Sequence, residues 1–186
     1  VQDLLELSNI QDGAIPLSFE HVNLQSVVNS IIHTQKTELE KQQVEVSVDF
    51  PAEPIEIVAD PQRLTHGINN LITNAIDTTP PKGVINIQLC TPPKVAEGWV
   101  ELKIKDEAQL DDPELLKEMF DPFSRPSEGV TRGTGLGLAI ARNIIQQHGG
   151  TVAAAPGTPN GTEITIRMPV AISENLLDLN TLPEHA

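Results

Sequence analysis

Aromatic residues are scarce in this chain: its 186 residues include no tyrosine, one tryptophan and four phenylalanines. With 39% apolar residues, a core must be assembled mainly from Leu, Ile, Val and Ala. Cysteine is limited to Cys90. That excludes an internal disulfide, fits a reducing compartment and leaves Cys90, expected to be buried on a strand, without an assigned role. Cations are also few. Twelve Lys and Arg stand against 26 Asp and Glu, for a formal net charge of −14. Such a balance argues against a nucleic-acid groove or an anionic membrane surface as partner. A polyphosphate bound here would need a metal, backbone N–H groups or a few well-placed Arg and Lys. No stretch approaches the roughly 20 apolar residues of a membrane span, and no signal peptide is visible. The chain begins at Val rather than Met, so it is expected to be a cytoplasmic fragment whose parent carries any membrane anchor elsewhere.

Against these absences, the hydrophobic patterning is regular. VQDLLELSNIQD (1–12) reads as the end of a mildly amphipathic helix stopped at Gly13. LSFEHV (17–22) alternates as a short strand. Asn23 can cap a helix with apolar positions Leu24, Val27, Val28, Ile31, Ile32 and Leu39. VEVSVDF (44–50) alternates as a strand with one buried face, and IEIVA (55–59) is a second. Asp60 and Pro61 start a helix reaching about Thr78, with Leu64, Ile68, Leu71, Ile72, Ala75 and Ile76 on its apolar side. VINIQL (84–89) and WVELKIK (99–105) form a hairpin with a long loop. PELLKEMF (113–120) is a short helix. Residues 121–135 lack periodicity and read as a mobile loop. An amphipathic helix from Leu136 to His148 stops at Gly149 and Gly150. TVAAA (151–155) and TEITIRM (162–168) make a last hairpin, and 171–186 is an acidic tail. Strands and helices mix without steady βαβ alternation, which predicts an α+β fold, a two-layer sandwich.

Two features carry chemistry. Asparagine is a poor helix former because its amide competes for backbone hydrogen bonds, yet Asn69, Asn70 and Asn74 lie inside a strongly periodic helix. His66, Asn70, Asn74 and Asp77, at i, i+4, i+8 and i+11, share one stripe away from the Leu/Ile face. An amide oxygen can ligate Mg²⁺ and an amide NH₂ can donate to phosphate; a merely solvated polar face is the other reading. The run GTGLGL (133–138) opens a helix. Its glycines allow close backbone approach, and the helix N-terminus offers free N–H groups and a positive dipole end. Arg125 and Arg132 flank it and could neutralise phosphate. A flexible hinge is the alternative there.

Together these segments resemble the catalytic ATP-binding domain of sensor histidine kinases, whose superfamily includes DNA gyrase, the Hsp90 chaperones and the MutL mismatch-repair proteins. DPQRL (60–64) followed by NLITNA (70–75) looks like the N box. FDPF (120–123) with Arg125 looks like the F box. GTGLGL followed by HGG (148–150) looks like the G2 box and its helix. Residues 1–13 resemble the end of the second helix of a dimerisation domain, which favours a histidine kinase over the other members or a serine-directed anti-sigma kinase. The resemblance implies a Bergerat fold, a mainly antiparallel sheet on about three helices, with residues 14–170 as the catalytic domain. It implies ATP and Mg²⁺ as cofactors and phosphoryl transfer to a histidine on a dimerisation domain absent here. The parent would be a homodimer serving a response regulator. Asn70 would hold Mg²⁺ and Asn74 would contact phosphate or metal. His66 would help activate the reaction, and Asp106 would accept from the adenine amino group. Gly133, Thr134, Gly135, Leu136, Gly137 and Leu138 would cradle the phosphates beside Arg125 and Arg132.

The pattern breaks in two places. The G1 box, usually Asp-x-Gly-x-Gly, is DEAQL (106–110) and lacks both glycines. The Lys and aromatic that usually follow the N box are Asp77 and Thr78. At an effective dielectric near 20, reversing one charge about 5 Å away is worth a few kcal/mol before screening. That is more than tenfold in affinity, at ~1.4 kcal/mol per factor of ten. A degenerate, regulatory relative with weak nucleotide binding is therefore the alternative function.

Overall fold

A computed structural model describes residues 16–91, 98–108, 113–124 and 135–170. Seven strands and five helices lie among them. In chain order they are β1 (Glu20–Asn23), α1 (Leu24–Thr34), α2 (Lys36–Gln42), β2 (Glu45–Asp49), β3 (Glu56–Ala59), α3 (Pro61–Thr78), β4 (Val84–Cys90), β5 (Trp99–Lys105), α4 (Pro113–Glu118), α5 (Gly137–Gln147), β6 (Thr151–Pro156) and β7 (Thr162–Pro169).

Five strands form one sheet in the order β2-β4-β5-β7-β6. β2 runs parallel to β4, and every other pairing in it is antiparallel. β1 and β3 form a separate antiparallel pair. Alternation decides which face is covered. Ile85, Ile87 and Leu89 on β4, Val100, Leu102 and Ile104 on β5, and Ile164, Ile166 and Met168 on β7 are buried in one cluster with residues of α1, α3 and α5. The alternate positions are polar. Glu101 there receives Arg167 at 2.6 Å and lies 3.7 Å from Lys103. Two layers of this kind are the α+β sandwich that the patterning predicts.

Helix α3 is the spine of the second layer. The Asp60 carboxylate caps it by accepting from the N–H groups of Gln62 and Arg63, and Pro61 occupies the first turn, where its missing N–H costs nothing. Leu64, Ile68, Leu71, Ile72, Ala75 and Ile76 are all buried to 1% exposure or less. Each large one contributes about 1.5–3 kcal/mol on leaving water. Gly67 lets α5 lie close, since a Cβ there would sit 3.1 Å from Ile144 Cγ2.

Four expectations are corrected. The first strand is Glu20–Asn23, shifted towards its pairing with β3, and Phe19 stays exposed. The helix after Asn23 is two, broken at Gln35. The Gln35 amide turns to Asn69 Oδ1 at 2.8 Å and Thr73 Oγ1 at 3.2 Å on α3. β2 does not bury a whole face: Val44 is buried, but Val48 is 47% exposed at the sheet edge. Cys90 is half-buried rather than buried. Residues 1–13 and 171–186 lie outside the described residues.

Chemical denaturation checks the placement of the core. Leu71→Ala is expected to cost about 2–5 kcal/mol, as for a filled interior site. Val48→Ala is expected to stay within about 0.5 kcal/mol, as for an exposed one.

Candidate functional site

Asn70, on the polar stripe of α3, faces the start of α5. His66, Asn70, Asn74 and Asp77 are each half-buried. The third asparagine of the helix, Asn69, is taken by Gln35, so its amide is structural. Asn70 differs. Its Nδ2 is buried and has no hydrogen-bond partner among the described residues. A buried amide atom without a partner costs about 1–3 kcal/mol, and such an exception is commonest where a ligand completes the set. Turned one way the atom donates; turned the other, the amide oxygen takes its place.

Opposite Asn70 lies Gly137. A Cβ on it would sit 3.7 Å from the Asn70 Cγ, touching it without a clash. Gly137 is the first residue of α5, whose N-cap Leu136 provides no side-chain bond. The first-turn N–H groups, which no intrahelical carbonyl satisfies, therefore receive no bond from the N-cap side chain. Gly135 adopts φ +72°, a conformation that glycine takes without strain. Its carbonyl accepts from the Phe123 N–H at 3.0 Å. Asp121 binds Arg142 of α5 at 3.1 Å. The segment around Phe120 is thus fastened once to α5 and once to the turn before it. Phe123, at φ +65°, is 63% exposed.

The other wall is built on Asp106, at the end of β5 and 3% exposed. Its Oδ1 accepts from the N–H of Ala108 and the N–H of Thr162, both at 3.0 Å. Gly161 has φ +91°, and any Cβ there would overlap the Asp106 carbonyl oxygen, so only glycine brings Thr162 this close. The Thr78 hydroxyl lies 3.3 Å from Asp106 Oδ2 and 2.8 Å from the Asn74 carbonyl. One hydroxyl proton serves one acceptor at a time, and the shorter contact is the helical one. Oδ2 therefore keeps capacity for another donor. Burial raises the Asp106 carboxyl above its ordinary range, against the lowering pull of Ala108, Thr162 and Thr78. Burial also acts to raise Asp60, but there the N–H groups of Arg63, Ser18 and Gln62 and the Arg63 charge outweigh it, and the net shift is downward.

Of the residues predicted from sequence, the fold brings Asn70, Leu136 and Gly137 together and sets Asp106 behind Asn74 through Thr78. Leu138 is the second residue of α5 and half-buried. Arg125, Arg132, Gly133 and Thr134 lie outside the described residues, as does Leu110. Sequence reasoning missed Gly161 and Thr162, which anchor Asp106. The signal was present in the turn PGTPNGT (156–162), where a glycine precedes a strand.

These features coincide with a known family. The model of the "histidine kinase-, DNA gyrase B-, and HSP90-like ATPase" family matches residues 59–172, more than half of the chain. The chain belongs to this family. It is 33% identical over 156 residues to the sensor histidine kinase ZraS of Klebsiella oxytoca, covering 81% of this chain and 32% of that protein. Against the sensor histidine kinase WalK of Bacillus subtilis it is 30% identical over 173 residues, covering 91% of this chain and 28% of the relative. The catalytic domain of the histidine kinase ThkA, in a nucleotide-free form, superposes with a TM-score of 0.72 at 26% identity, covering 82% of this chain and 96% of that one. The chain spans about a third or less of the curated relatives it matches. It is thus a catalytic ATPase-type domain of the sensor histidine kinase kind, and among its described residues no helix is long and apolar enough to cross a membrane.

The Asp106 carboxyl gives this domain a pH signature. A carboxyl raised in the fold is held more readily as the neutral acid, so its cost to stability grows as pH climbs from the ordinary carboxylate range through the raised value. Asp106→Asn keeps an acceptor for both N–H groups and removes the titration. Its stability relative to wild type is expected to improve as pH rises from about 4 to 7. Parallel unfolding curves across that range would contradict the assignment.

Proposed function

We propose that this domain binds ATP with Mg²⁺ between the α3 stripe and the start of α5, and supports transfer of the γ-phosphoryl group to a histidine of a dimerisation domain in the parent protein. The observation that carries the reading is the buried Asn70 Nδ2, without a hydrogen-bond partner among the described residues, beside a first turn of α5 that its N-cap side chain leaves unbonded. An amide there is of use to a ligand that offers both an acceptor and a hard cation, as a metal-bound phosphate does.

In this reading Asn70 holds Mg²⁺ through its amide oxygen, and Asn74, one turn on, contacts phosphate or metal. The cation supplies charge neutralisation to the triphosphate. The N–H groups of Gly137 and Leu138, with Gly135 and Leu136 at the turn before them, bind phosphate oxygens; Gly133, Thr134, Arg125 and Arg132 extend the cradle. Asp106 Oδ2 accepts from the adenine amino group, its other oxygen already held by backbone. In the transfer, an imidazole nitrogen of the acceptor histidine forms a bond to the γ-phosphorus as the bond to the β,γ-bridging oxygen breaks, and ADP leaves. His66, one turn before Asn70, orients that imidazole or takes its proton. Little covalent work falls to the protein in such chemistry, so positioning and charge neutralisation supply most of the rate.

The parent is then a two-component sensor kinase, a cytoplasmic or membrane-anchored homodimer acting on a response regulator. Residues 1–13 end its dimerisation helix, residues 14–170 form the catalytic domain and 171–186 form an acidic tail. No finding specifically favours the degenerate alternative. In this reading Asp77 and Thr78 weaken the affinity without removing Asn70 or Asp106.

Calorimetric titration with ATP tests this. Wild type is expected to bind with Mg²⁺ and to lose about tenfold or more of its affinity in EDTA or in Asn70→Ala, ~1.4 kcal/mol per tenfold. Binding unaffected by either change would overturn the reading. Asp77→Lys with Thr78→Tyr is expected to tighten binding; an unchanged affinity would mean that Asp77 points away from the phosphates.

A further inference from the structure

His148 ends α5 and is 4% exposed, and neither ring nitrogen is idle. Nδ1 lies 2.7 Å from the Ile144 carbonyl, so it carries the proton and donates. Nε2 is thereby left as an acceptor, and it accepts from the backbone N–H of Asp60 at 2.9 Å. That N–H belongs to the N-cap of α3, so the bond joins the end of one nucleotide helix to the start of the other. Arg63 and Gln147 add a longer tie alongside, at 3.4 Å.

The two helices run antiparallel and touch at three levels. Asp60 meets His148 at one end, Gly67 meets Ile144 in the middle, and Asn70 meets Gly137 at the other end. The middle contact is apolar and close, with a small residue against a branched one. Such a contact lets the two helices lie close and sets their separation. A hydrogen bond is directional, so the His148 bond ties the end of α5 to one point at the start of α3. The consequence is felt at the far end, where Asn70 and the first turn of α5 must share one phosphate group.

The same ring also meets the chain that enters the domain. Phe19 and His148 meet in a T-shaped arrangement, with centroids 5.7 Å apart, and the Ser18 N–H binds the Asp60 carboxylate at 3.1 Å. Residues 18 and 19 therefore rest on both partners of the bond.

We propose that His148 is a positioning residue for the nucleotide site: through the Asp60 N–H it sets the register of α5 on α3, and hence the spacing of Asn70 and Gly137. Displacement of residues 18–19 reaches the site through this joint. The value of that spacing for catalysis rests on the phosphate reading above, whereas the spacing itself does not, and the two fail separately.

Two variants test it in the intact chain. His148→Gln carries an amide oxygen that reaches the place of Nε2, and His148→Leu does not. Backbone amide resonances are recorded without nucleotide, and MgATP is then titrated. In His148→Leu the Asn70, Gly137 and Leu138 signals are expected to move while those of Gln88 and Lys103, on the outer sheet face, stay. MgATP affinity is expected to fall about tenfold, ~1.4 kcal/mol, and His148→Gln to restore both. If His148→Leu does not fold, His148→Asn, whose amide ends one carbon short of Asp60, takes its place. Signals at Asn70 and Gly137 that stay put in a folded Leu or Asn variant would overturn the proposal, as would equal movement in the Gln variant. Signals that move in a chain that binds no MgATP would leave the joint standing and remove the phosphate reading.

Discussion

The contact between α3 and α5 is the constraint on which the rest depends. Helix α3 meets two opposed demands. Leu64, Ile68, Leu71, Ile72, Ala75 and Ile76 must be buried against the sheet, while three asparagines in the same eighteen residues lower its intrinsic helicity. Asparagine costs several tenths of a kcal/mol against alanine at each interior position. Burial of the apolar side outweighs that loss several-fold, so the helix tolerates polar side chains placed for other reasons. Gly67 then admits α5 to close range, and the Asp60 cap serves at once as helix start, anchor of Ser18 and donor to His148.

The asparagines divide once the fold is known. Asn69 is spoken for by Gln35, whose position at the break between α1 and α2 gives it reach. Asn70 is left with a buried atom unserved. The helical wheel could tell Asn70 from Asn69 by face, but not which one has a protein partner, because the partner lies 34 residues away at a helix break that has no strong sequence mark. The paired strands, α3 and α5 were legible because their apolar positions repeat at 2 or 3.6 residues over long stretches. β2 was misjudged because period-2 alternation reports which side chains share a face; it is silent on whether a helix covers that face. The single helix after Asn23 failed for a related reason. Gln35 and Lys36 offer no breaker, and the break falls at the residue whose side chain binds α3.

The walls of the site show the same limit. The G1 segment keeps Asp106 and replaces the family's first glycine by Ala108, whose N–H donates to the Asp106 carboxylate. The glycine that matters for Asp106 sits instead just before the neighbouring strand β7, at Gly161, where only a missing Cβ lets Thr162 approach. Thr78, in the place of the usual ring, gives up packing surface and gains a polar contact beside Asp106 Oδ2. In the proposed site the base end is thus more polar than the family pattern implies, and Asp77 puts a carboxylate where the pattern has a Lys.

The most direct measurement is a crystal structure of the chain grown with a non-hydrolysable ATP analogue and Mn²⁺, located by its anomalous signal. The expected result is the metal on the Asn70 amide oxygen, phosphate oxygens on the N–H groups of Gly137 and Leu138, and the adenine amino group on Asp106 Oδ2. A nucleotide bound with its metal away from Asn70, or an Asn70 amide still without a partner at saturating analogue, would contradict the account.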